Sequence, residues 1–263
     1  MKFLITGGHS GIGLSLTRKL LAEDHHIGLI VRSEKRKIET LKHLQGISKL
    51  EIFVADLGKR DEIESATNEI KSTWPLIDGL FNNAGVLLDQ LYVSDSGNEM
   101  QLEINAISPY LLSKTLLPLL KKSKTPFVVS TATAALNKKK SLDIPAFKKP
   151  AKFSKLMGSY MDSKITMVAL MNALAKQHEK VRFVHVNPGA IKTKMTAGSG
   201  MPLLLKPIRN IFFKSPDHGA NELYNAAFGT EFQKSGLYIS GGKIKPIQVE
   251  ITPEQIEELL RND

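Results

Sequence analysis

The chain contains no cysteine. A disulfide scaffold and thiolate-held metals are therefore excluded, and a reducing, cytoplasmic setting is the expectation. No apolar stretch is long enough to span a bilayer. No secretory leader is visible, because the first apolar run is short and leads straight into a glycine-rich turn. There is no internal repeat and no low-complexity tract, and the histidines show no metal-ligand spacing. What remains is 263 residues of ordinary apolar content, which suits one large α/β domain better than two small ones.

The formal net charge of +10 would suit a nucleic-acid binder if it were spread over a surface. It is not spread. Seven lysines and one acid, Asp143, fall within residues 132–155, and five basic residues with no acid fall within 192–216. The rest of the chain is close to neutral, and no nucleic-acid recognition motif accompanies the two basic segments.

Apolar strand-like runs alternate with helical patterns along the chain, which predicts a parallel sheet covered by helices on both faces. The predicted strands are KFLIT, HIGLIV, LEIFVA, DGLFNN, PFVVST, VRFVHV and a last one at GLYIS. Helices are predicted at about Gly11–Asp24, after strand two, at Arg60–Thr73, Gly97–Lys121 and Ser154–His178, with Trp74 packing at one helix end. Right-handed crossovers wind such units into a doubly wound, three-layer Rossmann-type sheet.

Two stretches carry chemistry. TGGHSGIG, directly after strand one, spaces Gly7, Gly11 and Gly13 where a strand turns into a helix. Glycines there let backbone approach a ligand, and the helix start aims free N–H groups at an anion. Ser10 belongs to the same turn, and His9 is either an approach to phosphate or a surface turn residue. Strand two ends at Val31 and continues with Arg32 and Ser33, then Lys35 and Arg36. An acid at this place would suit the ribose of NAD, whereas an arginine suits the 2′-phosphate of NADP. NADP(H) is therefore expected over NAD(H). The second stretch, YMDSK, puts Tyr160 and Lys164 on one helix face, where an ammonium would lower the tyrosine pKa toward its working range.

TGxxxGxG at Thr6–Gly13, ADL at Ala55–Leu57, NNAG at Asn82–Gly85, IN at Ile104–Asn105, YxxxK at Tyr160–Lys164 and NPG at Asn187–Gly189 occur in one order. Together, over about residues 2–245, they resemble the short, single-domain subclass of the short-chain dehydrogenase/reductase family. The resemblance implies that Gly7, Gly11, Ile12 and Gly13 cradle a pyrophosphate. It places Asp56 and Leu57 against adenine, and Asn83, Ala84 and Gly85 along the cofactor wall. Tyr160 would be the acid in reduction and the base in oxidation. Lys164 would hold the nicotinamide ribose, and Asn105 would anchor a water in a proton relay to Lys164. Pro188, Gly189, Ile191 and Thr193 would belong to the segment gripping the carboxamide.

One position departs from the pattern. The family usually has Ser-Ser at the end of strand five, where this chain has Ser130 and Thr131. The register favours Thr131 as the hydroxyl that polarises the substrate oxygen, with Ser130 as the alternative; threonine has the same donor and acceptor capacity.

The 28 residues between Thr131 and Tyr160, with LLLKPIRNIFF and SGLYISGGKIKPI later, resemble the retinol-dehydrogenase-like branch. That branch implies an apolar aldehyde or ketone and its alcohol as substrates, a substrate loop at about 132–155 and a lid-like segment at about 192–214. The basic charge of these segments has three readings: a solvated surface, steering of an acidic apolar substrate, or peripheral contact with an anionic membrane. The family also implies a homodimer or homotetramer. An alternative function is a nucleotide-binding regulator with this fold and little turnover.

Overall fold

The computed structural model describes residues 1–44, 48–134, 136, 139–201 and 212–262. Among them, eight strands form one sheet in the order β3-β2-β1-β4-β5-β6-β7-β8. The strands are β1 Lys2–Thr6, β2 His26–Val31, β3 Leu50–Val54, β4 Gly79–Asn82, β5 Phe127–Thr131, β6 Arg182–Asn187, β7 Leu237–Ser240 and β8 Lys243–Lys245. The first seven are parallel, and β8 returns antiparallel along β7, pairing Ile239 with Ile244. The doubly wound fold expected from the alternating pattern is the fold observed.

The strands read as unbroken apolar runs because both faces are covered. Phe3, Leu4 and Ile5 of β1 have no exposed surface at all. Leu4, Leu80, Val128 and Phe183 join one core, with α3 (Arg60–Thr73), α5 (Ser108–Leu120) and α7 (Met161–Gln177). Ile5, Phe81, Val129 and Val184 join the other, beneath α1 (Gly11–Ala22) and the helix Pro216–Phe228. In that second core Phe3 packs on Phe81, Phe127 and Phe228 at ring separations of 6.1, 5.7 and 5.5 Å. Gly79 is required there, since a Cβ would stand 2.2 Å from the Phe127 ring.

The predicted strands fall within two residues of the observed ones. Two predicted helices are broken in ways that matter for the site. The Gly97–Lys121 pattern begins at α4 (Met100–Leu102), passes through a π-helical turn at Glu103–Ile107 and continues as α5. The Ser154–His178 pattern begins with a π-helical turn at Lys155–Tyr160 before α7. The helix predicted after strand two is α2 (Glu34–His43), while α6 (Ile144–Lys148), α8 (Lys194–Ala197), α9 (Pro216–Phe228) and α10 (Pro253–Leu260) lie outside the predicted set. Both α9 and α10 carry start signals. Ser215 and Thr252 cap them, accepting from the amides of His218 and Gln255, and a proline opens each. Among the described residues no helix is long and apolar enough to cross a membrane.

Trp74 ends α3 as expected, with its amide bonded to Ile70 O at 2.8 Å. It is 1% exposed, stands edge-on to Phe53 at 6.0 Å and lies under the Lys2 ammonium at 4.9 Å. Trp74→Ala is expected to lower the unfolding free energy by about 3–5 kcal/mol, read by urea unfolding followed by circular dichroism. A loss under about 1 kcal/mol would show that this end of the core is not close-packed.

Candidate active site

The chain leaves β1 toward β2 and β3, then crosses back to β4 on the other side of β1. Loops after β1 and β4 therefore diverge and leave a crevice at the carboxyl ends of the strands. A cleft of about 620 Å³ opens there. Its walls include Gly7, the turn His9–Ile12, Arg32, Asp56, Leu57, Asn83–Gly85, Thr131, Tyr160, Lys164 and Thr193. Residues predicted from seven separate places in the sequence thus line one space.

The glycine turn is built against the loop after β4. Thr6 Oγ1 accepts the amides of Asn83 and Ala84 at 3.1 and 3.0 Å, and Asn83 Nδ2 donates to Thr6 O at 3.0 Å. Gly7 has φ +67°, and a Cβ on it would come within 3.1 Å of Ala84 Cα. Gly11 has φ +52°, and a Cβ there would meet Thr193 at 3.1 Å. Gly13 serves the packing of α1 rather than the cleft wall, since its Cβ would lie 2.4 Å from Gly7 O. Ser10 does not cap α1 with its side chain, and no acid stands in the first turn. The helix start therefore keeps its positive end for an anion.

Cations gather at the same end. Burial is the largest cause holding the His9 imidazole below its ordinary pKa, followed by the charges of Arg36, Lys194 and Arg32. Arg32, Arg36, Lys59 and Lys194 all line the cleft. Arg36 also pairs with Glu39 at 2.6 Å. Ser33 is placed otherwise: its hydroxyl caps α2, accepting the Arg36 amide at 3.3 Å. Arg36 and Lys194 were not assigned to the site from sequence. Arg36 follows Arg32 by four residues, a spacing that could have flagged it; Lys194 arrives from a distant loop. This donor set of glycine turn, helix start and cations fits a phosphorylated dinucleotide.

At the other end, strand alternation separates the two hydroxyls of β5. Thr131 lines the cleft, and its Oγ1 is buried with no hydrogen-bond partner among the described residues. Ser130 is fully buried on the neighbouring row, in register with Asn82 and His185. Lys164 is 4% exposed and donates to Thr131 O at 2.9 Å. Burial pulls its pKa down to about 8. Burial also pushes the Tyr160 pKa up to about 12, the opposite direction from the depression expected of a neighbouring ammonium.

Asn105 sits in the π-helical turn and clamps the wall beside Gly85. Its Oδ1 accepts the Val86 amide at 2.8 Å, and its Nδ2 donates to Val86 O and to Ser163 Oγ, both at 3.0 Å. Gly85 has no room for a side chain, because a Cβ would lie 3.1 Å from Asn105 Oδ1 and 3.3 Å from Lys164 Nζ. Pro188, Gly189 and Ile191 lie along the connection from β6; Pro188 and Ile191 are buried, Gly189 is exposed at φ +84°, and Thr193 reaches the cleft.

The basic segments are not uniformly solvated. Lys139 pairs with Asp162 at 2.5 Å, and Lys148 is 5% exposed, donating to the carbonyls of Glu258 and Arg261. Lys155 donates to Ser199 O at 3.3 Å. Of the apolar residues in these segments, Leu203–Leu205 and Ile208 lie outside the described residues, while Phe212 is exposed.

A doubly wound sheet with a glycine cradle at its switch point and a Tyr–Lys pair in the same cleft defines a nucleotide-binding α/β oxidoreductase. Residues 2–144 match the family model for short chain dehydrogenases, and the chain belongs to this short-chain dehydrogenase/reductase family. It is 26% identical over 278 residues to human (Homo sapiens) retinol dehydrogenase 14, covering 97% of this chain and 81% of that one. Among solved structures, NADPH-bound carbonyl reductase from chicken fatty liver superposes with a TM-score of 0.72 at 21% identity, covering 93% of this chain and 98% of that one. The Pseudomonas aeruginosa RhlG/NADP complex gives 0.72 at 22% identity, with 92% and 94% covered. These two structures speak to the fold.

His185 is fully buried, with neither ring nitrogen bonded among the described residues, and burial pulls its pKa down to about 4. The unfolded chain binds this proton below about pH 6.5 and the folded chain does not, so the stability is present above that pH and is lost as pH falls toward 4. Between pH 7 and 4 the wild type should lose about 3 kcal/mol more than His185→Leu in urea unfolding. Parallel losses in the two proteins would show that His185 folds in its charged form.

Proposed function

We propose that the chain is an NADP(H)-dependent oxidoreductase that interconverts an apolar aldehyde or ketone with its alcohol. The observation that carries this reading is that Thr131, with its buried and unpartnered hydroxyl, lines one cleft together with Tyr160, Lys164 and the glycine cradle. Gly7, Ser10, Gly11 and Ile12 would hold the pyrophosphate, Asp56 and Leu57 the adenine, and Asn83–Gly85 the wall between them and Lys164. Val86, Leu88 and Met195 add apolar surface to the cleft for the substrate. Segments 132–155 and 192–214 would serve as substrate loop and lid.

A nicotinamide cofactor held by these residues would supply hydride chemistry to the cleft. The chain's own residues handle the oxygen and its proton. Thr131 Oγ1 donates to the substrate oxygen, and Tyr160 transfers the proton to or from it. With its pKa pushed up to about 12, Tyr160 holds its proton at neutral pH, the form that reduction needs. Lys164, which donates to Thr131 O and lines the same cleft as Tyr160, would stabilise the phenolate left behind through its ammonium. Asn105 and Ser163 hold the Val86 wall and the start of α7 together. A homodimer or homotetramer is the assembly this family resemblance suggests.

Tyr160→Phe should lower kcat for NADPH-driven reduction by about 10²–10⁴-fold while leaving NADPH affinity unchanged. Retained turnover would remove Tyr160 from the chemistry, whereas cofactor binding without turnover of any carbonyl in the wild type would favour a nucleotide-sensing role. Arg32→Ala should raise the KM for NADPH by about 10–100-fold and leave that for NADH unchanged, on the scale of one lost charge-assisted contact. Equal or better wild-type rates with NADH would overturn the NADP assignment.

A further inference from the structure

The helix α10 carries no basic residue in its last turn, so its terminal carbonyls present uncompensated negative ends. Two cations from elsewhere meet them. Lys148, from α6, donates to Glu258 O and Arg261 O at 3.0 and 3.2 Å. Arg60, from the first turn of α3, donates to Leu260 O at 2.6 Å, Leu259 O at 3.3 Å and Asn262 Oδ1 at 2.9 Å. The same guanidinium grips Glu103 through both carboxylate oxygens, at 2.7 and 3.1 Å. Glu103 has no exposed surface and also accepts from Asn98 Nδ2 at 2.6 Å.

Glu103 opens the π-helical turn that carries Asn105 two residues later. A π turn is a rare register, and this one carries the Asn105 side chain that bonds Val86 through both its amide atoms. Here the Glu103 carbonyl is held by the Ser108 hydroxyl at 2.9 Å, and its carboxylate is held by Arg60. A buried carboxylate stays where its cation is, because leaving it unpaired in the interior is costly. Lys148 O accepts the Glu99 amide at 2.8 Å, and Gln255 Nε2 donates to Leu142 O at 3.1 Å, so α6 and the approach to the turn are tied to α10 as well.

We infer that Arg60 is a positioning residue, which joins the end of α10 to Glu103 and thereby holds the π-helical turn that sets Asn105 against Val86. Its consequence for turnover rests on the function proposed above; its consequence for the Val86 clamp does not. Lysine at this position keeps a charge beside Glu103 but lacks the planar fork needed to span carboxylate and helix end together. Leu259, fully buried at the end of α10, offers a second way to loosen the helix without touching Arg60 or Glu103.

The test uses full-length wild type, Arg60→Lys, Leu259→Ala and the double variant, with two readouts. Amide hydrogen exchange of the peptide containing Val86 should speed up by about 10-fold in each single variant, on the scale of one lost charge-assisted bond. In NADPH-driven reduction, kcat should fall by about 10-fold while the carbonyl KM stays within about twofold. The double variant should lose no more than the worse single one, because both act through the same contact. Unchanged Val86 exchange and kcat, with only a lower Tm, would overturn the inference, as would independent losses that multiply in the double variant. Should Arg60→Lys not fold, Leu259→Ala decides by the same two readouts. A wild type without turnover would sink the proposed function and leave the exchange result standing.

Discussion

The Thr6 hydroxyl, with the amides of Asn83 and Ala84 pointed at it, is the contact on which the rest of the site depends. It pins the end of β1 to the end of β4 at the place where the chain reverses its winding. Only with those two ends fixed can Gly7 lie against Ala84, and only then does the start of α1 look into the cleft. Gly85 extends the same tight contact on the other side, reaching Asn105 and Lys164 without space for a methyl group. The phosphate end and the chemical end of the cleft are therefore opposite sides of one rigid seam.

Buried charge shapes the molecule at two levels. In the cleft, burial moves Tyr160 and Lys164 in opposite directions, each toward its neutral form. Behind the cleft, Arg60, Glu103 and Lys148 make hydrogen bonds across the fold and serve as joints between distant segments. The excess lysines of residues 132–155 thus divide by task. Lys139 and Lys148 hold the loop to α7 and α10, which a count of charges along the sequence could not distinguish from a solvated face.

The alternation of apolar strands and helices made the sheet legible, because β1 to β7 are buried on both sides and their composition records it. Tyr160, Lys164, Arg32 and the glycine turn were legible for a related reason: their spacing is itself the chemistry. Strand alternation also explains why Thr131 rather than its neighbour Ser130 meets the cleft. Other features left no such mark. The π-helical turn at Glu103 is held by tertiary partners, Arg60 and Asn98, that local sequence does not reveal. Lys194 is brought to His9 by folding across the whole sheet. The helices α9 and α10 lie outside the predicted set although each opens on a capping serine or threonine followed by proline.

The short β8 strand gives the sheet an ending. A parallel sheet cut off after β7 would show a row of free backbone donors and acceptors, a template on which another chain can grow. Here the chain folds back and covers that row with its own three residues, Lys243, Ile244 and Lys245, all exposed. The new rim is narrow and carries two positive charges, so two such rims brought together repel. Resistance to edge-to-edge aggregation is therefore written into a hairpin that stands apart from the cleft.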